Sequence, residues 1–133
     1  MGGYVAGRVA KLMTQKRIHV VGAKVLMLGL AFKENCPDLR NTRVVDTIRE
    51  LHSYHADVDV YDPWVDPAEA KQEYDLEPIP RLEAGRYDAV IIAVGHRQFQ
   101  EMGGAQIRAL LKPNGVLFDI KSVLPAADVD GRL

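Results

Sequence analysis

A chain of 133 residues is long enough for one domain with a real core. Apolar residues make up 47% and charged residues 26%, the balance of an ordinary globular protein, and a net charge of -1 implies no general attraction to nucleic acid or to an anionic membrane. No apolar run approaches the roughly 20 residues of a membrane span. The start, Met1-Gly2-Gly3-Tyr4, lacks the charged-then-apolar pattern of a secretory signal, and one cysteine, Cys36, excludes an internal disulfide and fits a reducing cytoplasm.

Val5, Val9, Leu12 and Met13 recur at helical spacing, with Lys11, Lys16 and Arg17 late in the segment, which predicts a helix over Gly2–Ile18. No start or capping residue precedes it, so it reads as the end of a longer helix. The continuous apolar run Lys24–Leu30, with Gly22 before it, predicts a central parallel strand covered on both faces. A polar loop carrying Phe32, Lys33, Asp38 and Arg40 follows. The next helix is expected from about Asn41 or Thr42 to Tyr54, with Val44, Val45, Ile48 and Leu51 as its buried stripe and Asn41 or Thr42 as its cap.

Asp57–Asp62 alternates and predicts a second strand, stopped by Asp62-Pro63. Asp66-Pro67-Ala68-Glu69 has the form of a helix start, and that short helix is expected to end near Tyr74. Glu77-Pro78-Ile79-Pro80 reads as extended, a small edge strand. Tyr87–Val94 is the third apolar run and third core strand. A helix is expected over Ala105–Leu111, a turn at Lys112-Pro113-Asn114-Gly115, and a last core strand over Val116–Ile120 with Lys121 just beyond it. Alternating strands and helices predict a three-layer α/β domain: a Rossmann-like parallel sheet with right-handed crossovers and helices on both faces. Ligands of such sheets bind beyond the carboxyl ends of the strands, here the loops 31–40, 62–66, 95–99 and 121–124.

Several residues there have two readings. Lys33 and Arg40 either hold a diphosphate, as a point charge and a bidentate fork, or are solvated loop cations. Phe32 either stacks on a base or sugar or belongs to the core. Lys121 is placed to converge on the crevice of Lys33. An acid at the position of Asp62 holds a ribose in dinucleotide-binding folds, but Leu30, Ala31 and Phe32 follow Gly29, so the G-x-G-x-x-G fingerprint is absent. Asp62 is therefore expected to form the turn before Pro63. His96 reads as a loop hydrogen-bonder rather than a ligand contact. Cys36 has acidic neighbours, Glu34 and Asp38, and no evident base, so it is not a nucleophile candidate. His19, His52 and His55 show no metal-ligand spacing. A phosphoacceptor receiver module is excluded because the third strand ends Ala93-Val94-Gly95 without an acid.

Leu28-Gly-Leu-Ala-Phe-Lys33, then Asp38-Leu-Arg40-Asn-Thr42, Val58–Tyr61 with Asp62-Pro63, Tyr87-Asp-Ala-Val90 with His96, and Phe118-Asp-Ile-Lys121 come in one order across nearly the whole chain. This arrangement resembles the C-terminal UDP-binding domain of the UDP-glucose/GDP-mannose 6-dehydrogenase family. The resemblance implies residues 1–20 as the end of the helix linking the family's domains and 21–133 as the UDP-sugar-binding domain. It implies Phe32 and Lys33 as contacts to the UDP-sugar, and Arg40 as a contact to an NAD held mainly by an N-terminal domain. Lys121 stands where the UDP-glucose branch uses an arginine for substrate. Together with Glu34-Asn-Cys-Pro-Asp38, it points to the branch that oxidises C6 of UDP-N-acetylhexosamines for surface polysaccharide. The family's catalytic cysteine, lysine and asparagine have no counterpart here, so the chain is expected to be inactive alone. The full-length enzyme, with its N-terminal and central domains, is expected to be a homo-oligomer. The alternative is a stand-alone nucleotide-binding or regulatory α/β module.

Overall fold

The computed structural model describes residues 2–133. Five parallel strands form one sheet in the order β2-β1-β3-β4-β5. They are β1 (Lys24–Leu28), β2 (Asp57–Tyr61), β3 (Tyr87–Ile92), β4 (Leu111–Asp119) and β5 (Gly131–Arg132). The helices are α1 (Gly2–Gln15), α2 (Val44–Ser53), α3 (Pro67–Tyr74) and α4 (Arg97–Arg108). The order reverses at β1, where the chain goes first to β2 on one side and later to β3 on the other. That reversal places a crevice beyond the carboxyl ends of β1 and β3. No helix among the described residues is long and apolar enough to cross a membrane.

The continuous apolar runs are explained by cover on both faces. Val25 and Met27 of β1, Ala89 and Ile91 of β3, and Val116 and Phe118 of β4 share a core with the buried stripes of α1 and α2. Leu26 and Leu28, Val90 and Ile92, and Leu117 pack with Phe99 and Ile107 of α4 on the other side. Val5, Val9 and Met13 of α1 are wholly buried in the first core. At about 1.5–3 kcal/mol for each fully buried side chain of this size, α1 is a structural layer of the domain.

The elements differ from expectation at several places. α1 stops at Gln15, short of Ile18, because Arg17 takes a left-handed conformation (φ 61°) and the Ile18 N–H turns back to the Met13 carbonyl at 2.9 Å. α4 begins at Arg97, well before Ala105, and is broken at Gly103 (φ 72°, ψ 173°). The expected helix is only its second half, and it gives way to β4 at Leu111. Lys112–Gly115 is a bulge inside β4 rather than a turn before it: Tyr87 pairs with Leu111 and Ala89 already with Val116. Pro113 is tolerated there because a bulge needs no ladder N–H. Glu77–Pro80 forms no strand, although the Ile79 N–H donates to the Val60 carbonyl at 2.8 Å. The two-residue β5 has no signal in the sequence.

Candidate functional site

The loop after β1 is built around one buried carboxylate. Gly29 turns the chain with φ 104°, and a Cβ there would lie 2.6 Å from that of Val94, so only glycine lets the loop pass β3. The next two N–H groups, of Leu30 and Ala31, both donate to Asp62 Oδ2, at 2.7 and 2.9 Å. Asp62 sits at the end of β2, and its Oδ1 accepts the Trp64 N–H at 2.8 Å. The side chain thus forms the expected turn before Pro63 and also holds the neighbouring loop. Burial pushes the Asp62 carboxyl up, but hydrogen bonds from His96 and from the backbone of Leu30, Ala31 and Trp64 outweigh it and leave the group below the usual carboxylate range.

His96, wholly buried in the N-cap position of α4 after β3, completes this arrangement. Its Nε2 lies 2.9 Å from Asp62 Oδ2, and its Nδ1 accepts the Asn35 N–H at 2.9 Å. That partner set assigns the ring proton to Nε2. Asn35, itself left-handed at φ 53°, accepts the Arg97 N–H on its side-chain oxygen at 2.8 Å and so caps α4. On the other side of the loop the Thr42 hydroxyl donates to the Leu30 carbonyl at 2.7 Å and accepts the Val44 N–H at 3.2 Å, which starts α2.

Beyond the strand ends, on the side of α1 and α2, lies an open cleft of about 370 Å³. Phe32, Arg43, Thr47, Val94, Ile120 and Lys121 line it. Phe32 is 52% exposed, so it is not a core residue; its N–H donates to the Asp38 carbonyl at 2.7 Å and holds the loop neck. Lys121 is positioned by Asp119, whose buried carboxylate accepts the Lys121 and Leu124 N–H groups at 3.0 and 2.8 Å. The cleft therefore has an aromatic face, a lysine, an arginine and the amino end of α2, a combination suited to an anionic ligand with a flat group. A second hollow of about 440 Å³, where the chain passes from α1 toward β1, is lined by Thr14 and Arg17–Val21, away from the strand ends.

The four residues singled out from the sequence are not all together. Phe32 and Lys121 share the cleft. Lys33 is exposed on the adjoining loop and is not part of the lining. Among the described residues, neither Lys33 nor Lys121 forms an ion pair. Arg40 is 84% exposed and grips Asp38 with Nε and Nη2, each at 3.1 Å. The hydrogen bond from Arg40 holds the Asp38 carboxyl below its ordinary range. Arg43 escaped the sequence reading although it follows the Arg40-Asn-Thr42 motif directly. Asp62 as a turn-former and His96 as a loop hydrogen-bonder both hold, and each is a polar residue just beyond a strand that flanks β1. No three His, Cys, Asp or Glu side chains among the described residues come together to hold a metal.

A dinucleotide does not fit the turn after β1 in this chain. In such sites the N–H groups after the first glycine face a pyrophosphate. Here the N–H groups of Leu30 and Ala31 are both taken by Asp62.

The sequence and fold have clear relatives. Residues 26–126 match the model for the UDP-glucose/GDP-mannose dehydrogenase family, UDP binding domain. The whole chain is 50% identical to a UDP-N-acetyl-D-glucosamine 6-dehydrogenase of Salmonella typhi and covers 31% of it. Another of that name, from Pseudomonas aeruginosa, is also 50% identical over the whole chain, which covers 32% of it. The protein CapL of Staphylococcus aureus is 40% identical over 98% of the chain, which covers 30% of that protein. The chain thus spans about a third of the length of these relatives. A UDP-D-ManNAc dehydrogenase structure from Pyrococcus horikoshii superposes over 98% of this chain and 30% of its own, with a TM-score of 0.76 at 20% identity, and so has the same fold. Match, identity and fold agree, and the chain belongs to the UDP-glucose/GDP-mannose dehydrogenase family, whose UDP-binding domain it represents.

Proposed function

We propose that this chain is the substrate-binding part of an NAD-dependent nucleotide-sugar 6-dehydrogenase, and that its cleft receives the nucleotide half of a UDP-N-acetylhexosamine. The observation that carries the reading is the convergence of an exposed phenyl ring and two cations, Lys121 and Arg43, at the carboxyl ends of β1 and β4 and the amino end of α2. Phe32 offers a face for the uracil or ribose. Lys121 neutralises the diphosphate, and Lys33, exposed on the adjoining loop and outside the lining, would have to swing toward it on binding. The names of the two relatives at 50% identity support an N-acetylated sugar and oxidation at C6. On this reading the product carboxylate serves surface polysaccharide.

The cofactor belongs elsewhere in the full-length protein. NAD, where bound, accepts the hydride; this chain contributes the exposed Arg40 guanidinium toward it, pre-set by Asp38. On this reading Cys36, a free and half-buried thiol in the loop, takes no part in the chemistry. The chain by itself therefore binds but does not oxidise. Titration calorimetry with UDP, UDP-N-acetylglucosamine and NAD added separately tests this. Binding of the first two and none of the third is expected. No heat with either uridine nucleotide overturns the reading.

A further inference from the structure

Phe32 and Lys33 lie between two anchor points, and both anchors lead to one buried pair. Asp62 fixes the residues just before them, through the N–H groups of Leu30 and Ala31. His96 fixes the residue just after Glu34, through the N–H of Asn35. The two side chains are bonded to each other at 2.9 Å, and both are fully buried while the loop they hold is exposed. Asn35 is in the left-handed region, which asparagine tolerates better than most residues with a side chain, so the turn that carries its N–H to His96 costs little. We propose that His96 is a positioning residue for nucleotide binding: it sets the Phe32-Lys33 loop in its ligand-receiving form by accepting the Asn35 N–H on Nδ1, and Asp62 keeps the proton on Nε2 so that this acceptor stays free.

The role depends on the protonation state of the ring. A second proton would turn Nδ1 from an acceptor into a donor aimed at the Asn35 N–H, and the anchor would break. The charged groups around the ring are Asp62 at the end of β2, Glu34 on the loop, Lys121 after β4 and Arg97 next in the chain. Of these, Asp62 alone is bonded to it among the described residues. Glu34 and Lys121 lie beside Gly95, the residue before it, where a Cβ would stand 3.2 Å from Glu34 Oε2 and 3.9 Å from Lys121 Cβ. Trp64 and Phe99 close the remaining sides, with ring centroids 6.1 and 5.5 Å from that of His96.

This proposal rests on the nucleotide-binding reading above, and the test separates the two. The probe is UDP-N-acetylglucosamine, whose doubly substituted diphosphate gains no proton between pH 5.5 and 8, so any pH effect belongs to the protein. Affinities are measured by calorimetry for wild type, His96→Gln and His96→Asn, with folding checked by circular dichroism. The asparagine oxygen falls near the position of Nδ1 and keeps the acceptor for Asn35. The glutamine amide reaches toward Asp62 and leaves Asn35 unpaired. H96Q is expected to bind about tenfold more weakly at every pH, the equivalent of one lost hydrogen bond of about 1.4 kcal/mol. H96N is expected to recover most of the affinity. Equal losses in both variants overturn the positioning role and leave the nucleotide reading standing. A wild-type chain that binds no uridine nucleotide at any pH overturns both.

Discussion

Replacing Asp62 with asparagine removes one charge and almost no volume, so it isolates the electrostatic work of that carboxylate. Oδ2 accepts three donors and Oδ1 accepts a fourth. The best arrangement of an amide keeps its oxygen toward Leu30, Ala31 and His96 and turns its NH2 against the Trp64 N–H. Three bonds to a charged acceptor, each worth about 1.5–3 kcal/mol, then fall to about 1 kcal/mol, and the orphaned Trp64 N–H adds a penalty of about 1–3 kcal/mol. Neighbouring bonds in one network do not add fully, so a net loss of about 3 kcal/mol is expected. A domain of this size has about 5–15 kcal/mol in hand and stays folded. With an unfolding entropy of about 2.1 cal/mol/K per residue, Tm falls by about 10 °C. Thermal melts of D62N and wild type by circular dichroism at pH 7, with urea midpoints alongside, measure this. A melting point within about 3 °C of wild type would refute the idea that the carboxylate organises the strand ends.

Acid should act on the same group. The folded-state values of Asp62 and Asp130 both lie below the ordinary carboxylate value, so their contribution is complete above about pH 4 and is lost as pH falls through the folded values. Stability measured by urea midpoint is expected to hold from pH 7 to 5 and to drop below about pH 4, less steeply in D62N. Lys121→Ala should weaken UDP binding by about tenfold, the loss of one charge-assisted contact, with Tm unchanged in a parallel melt; unaltered affinity would remove Lys121 from the site. Phe32→Ala, at an exposed position, should leave Tm unchanged and cost about 1–3 kcal/mol of nucleotide affinity by calorimetry, if the ring stacks on the base. The chain given UDP-N-acetylglucosamine and NAD should produce no steady rise in absorbance from NADH, and a sustained rise would show that it carries the chemistry itself.

The sheet was legible because three of its strands are apolar runs and the second alternates in a way only a half-covered edge requires. Val25–Leu28 and Ala89–Ile92 are buried on both faces, so every position is apolar and burial alone marks them. The early part of α4 was not legible. Its first turn is capped from a distant loop by Asn35, and Gly103-Gly104 interrupts its periodicity, so nothing local announces a helix at Arg97. β5 is equally silent, because two residues carry no period; it is held by pairing with Phe118 and Asp119. Within the site, Phe32 and Lys121 came from motif and placement. Asp62 was seen only as a turn-former, because its three other bonds go to residues 31 to 34 positions away in the chain. Such a hub becomes visible only when the ends of β1, β2 and β3 are brought side by side.

The carboxylate under the first loop also sorts ligands by direction. A tethered anion never dissociates, so the N–H groups of Leu30 and Ala31 are saturated at every ligand concentration. A phosphate approaching the turn itself meets like charge and no free donor, whereas one approaching from the α1 and α2 side meets Lys121 and Arg43. The fold thereby rejects the pose that a related dinucleotide site would favour, and it does so by repulsion rather than by shape. On the proposed reading a nucleotide would be steered sideways onto the Phe32 ring, and the bonds that hold the loop together would also disfavour a dinucleotide at the turn.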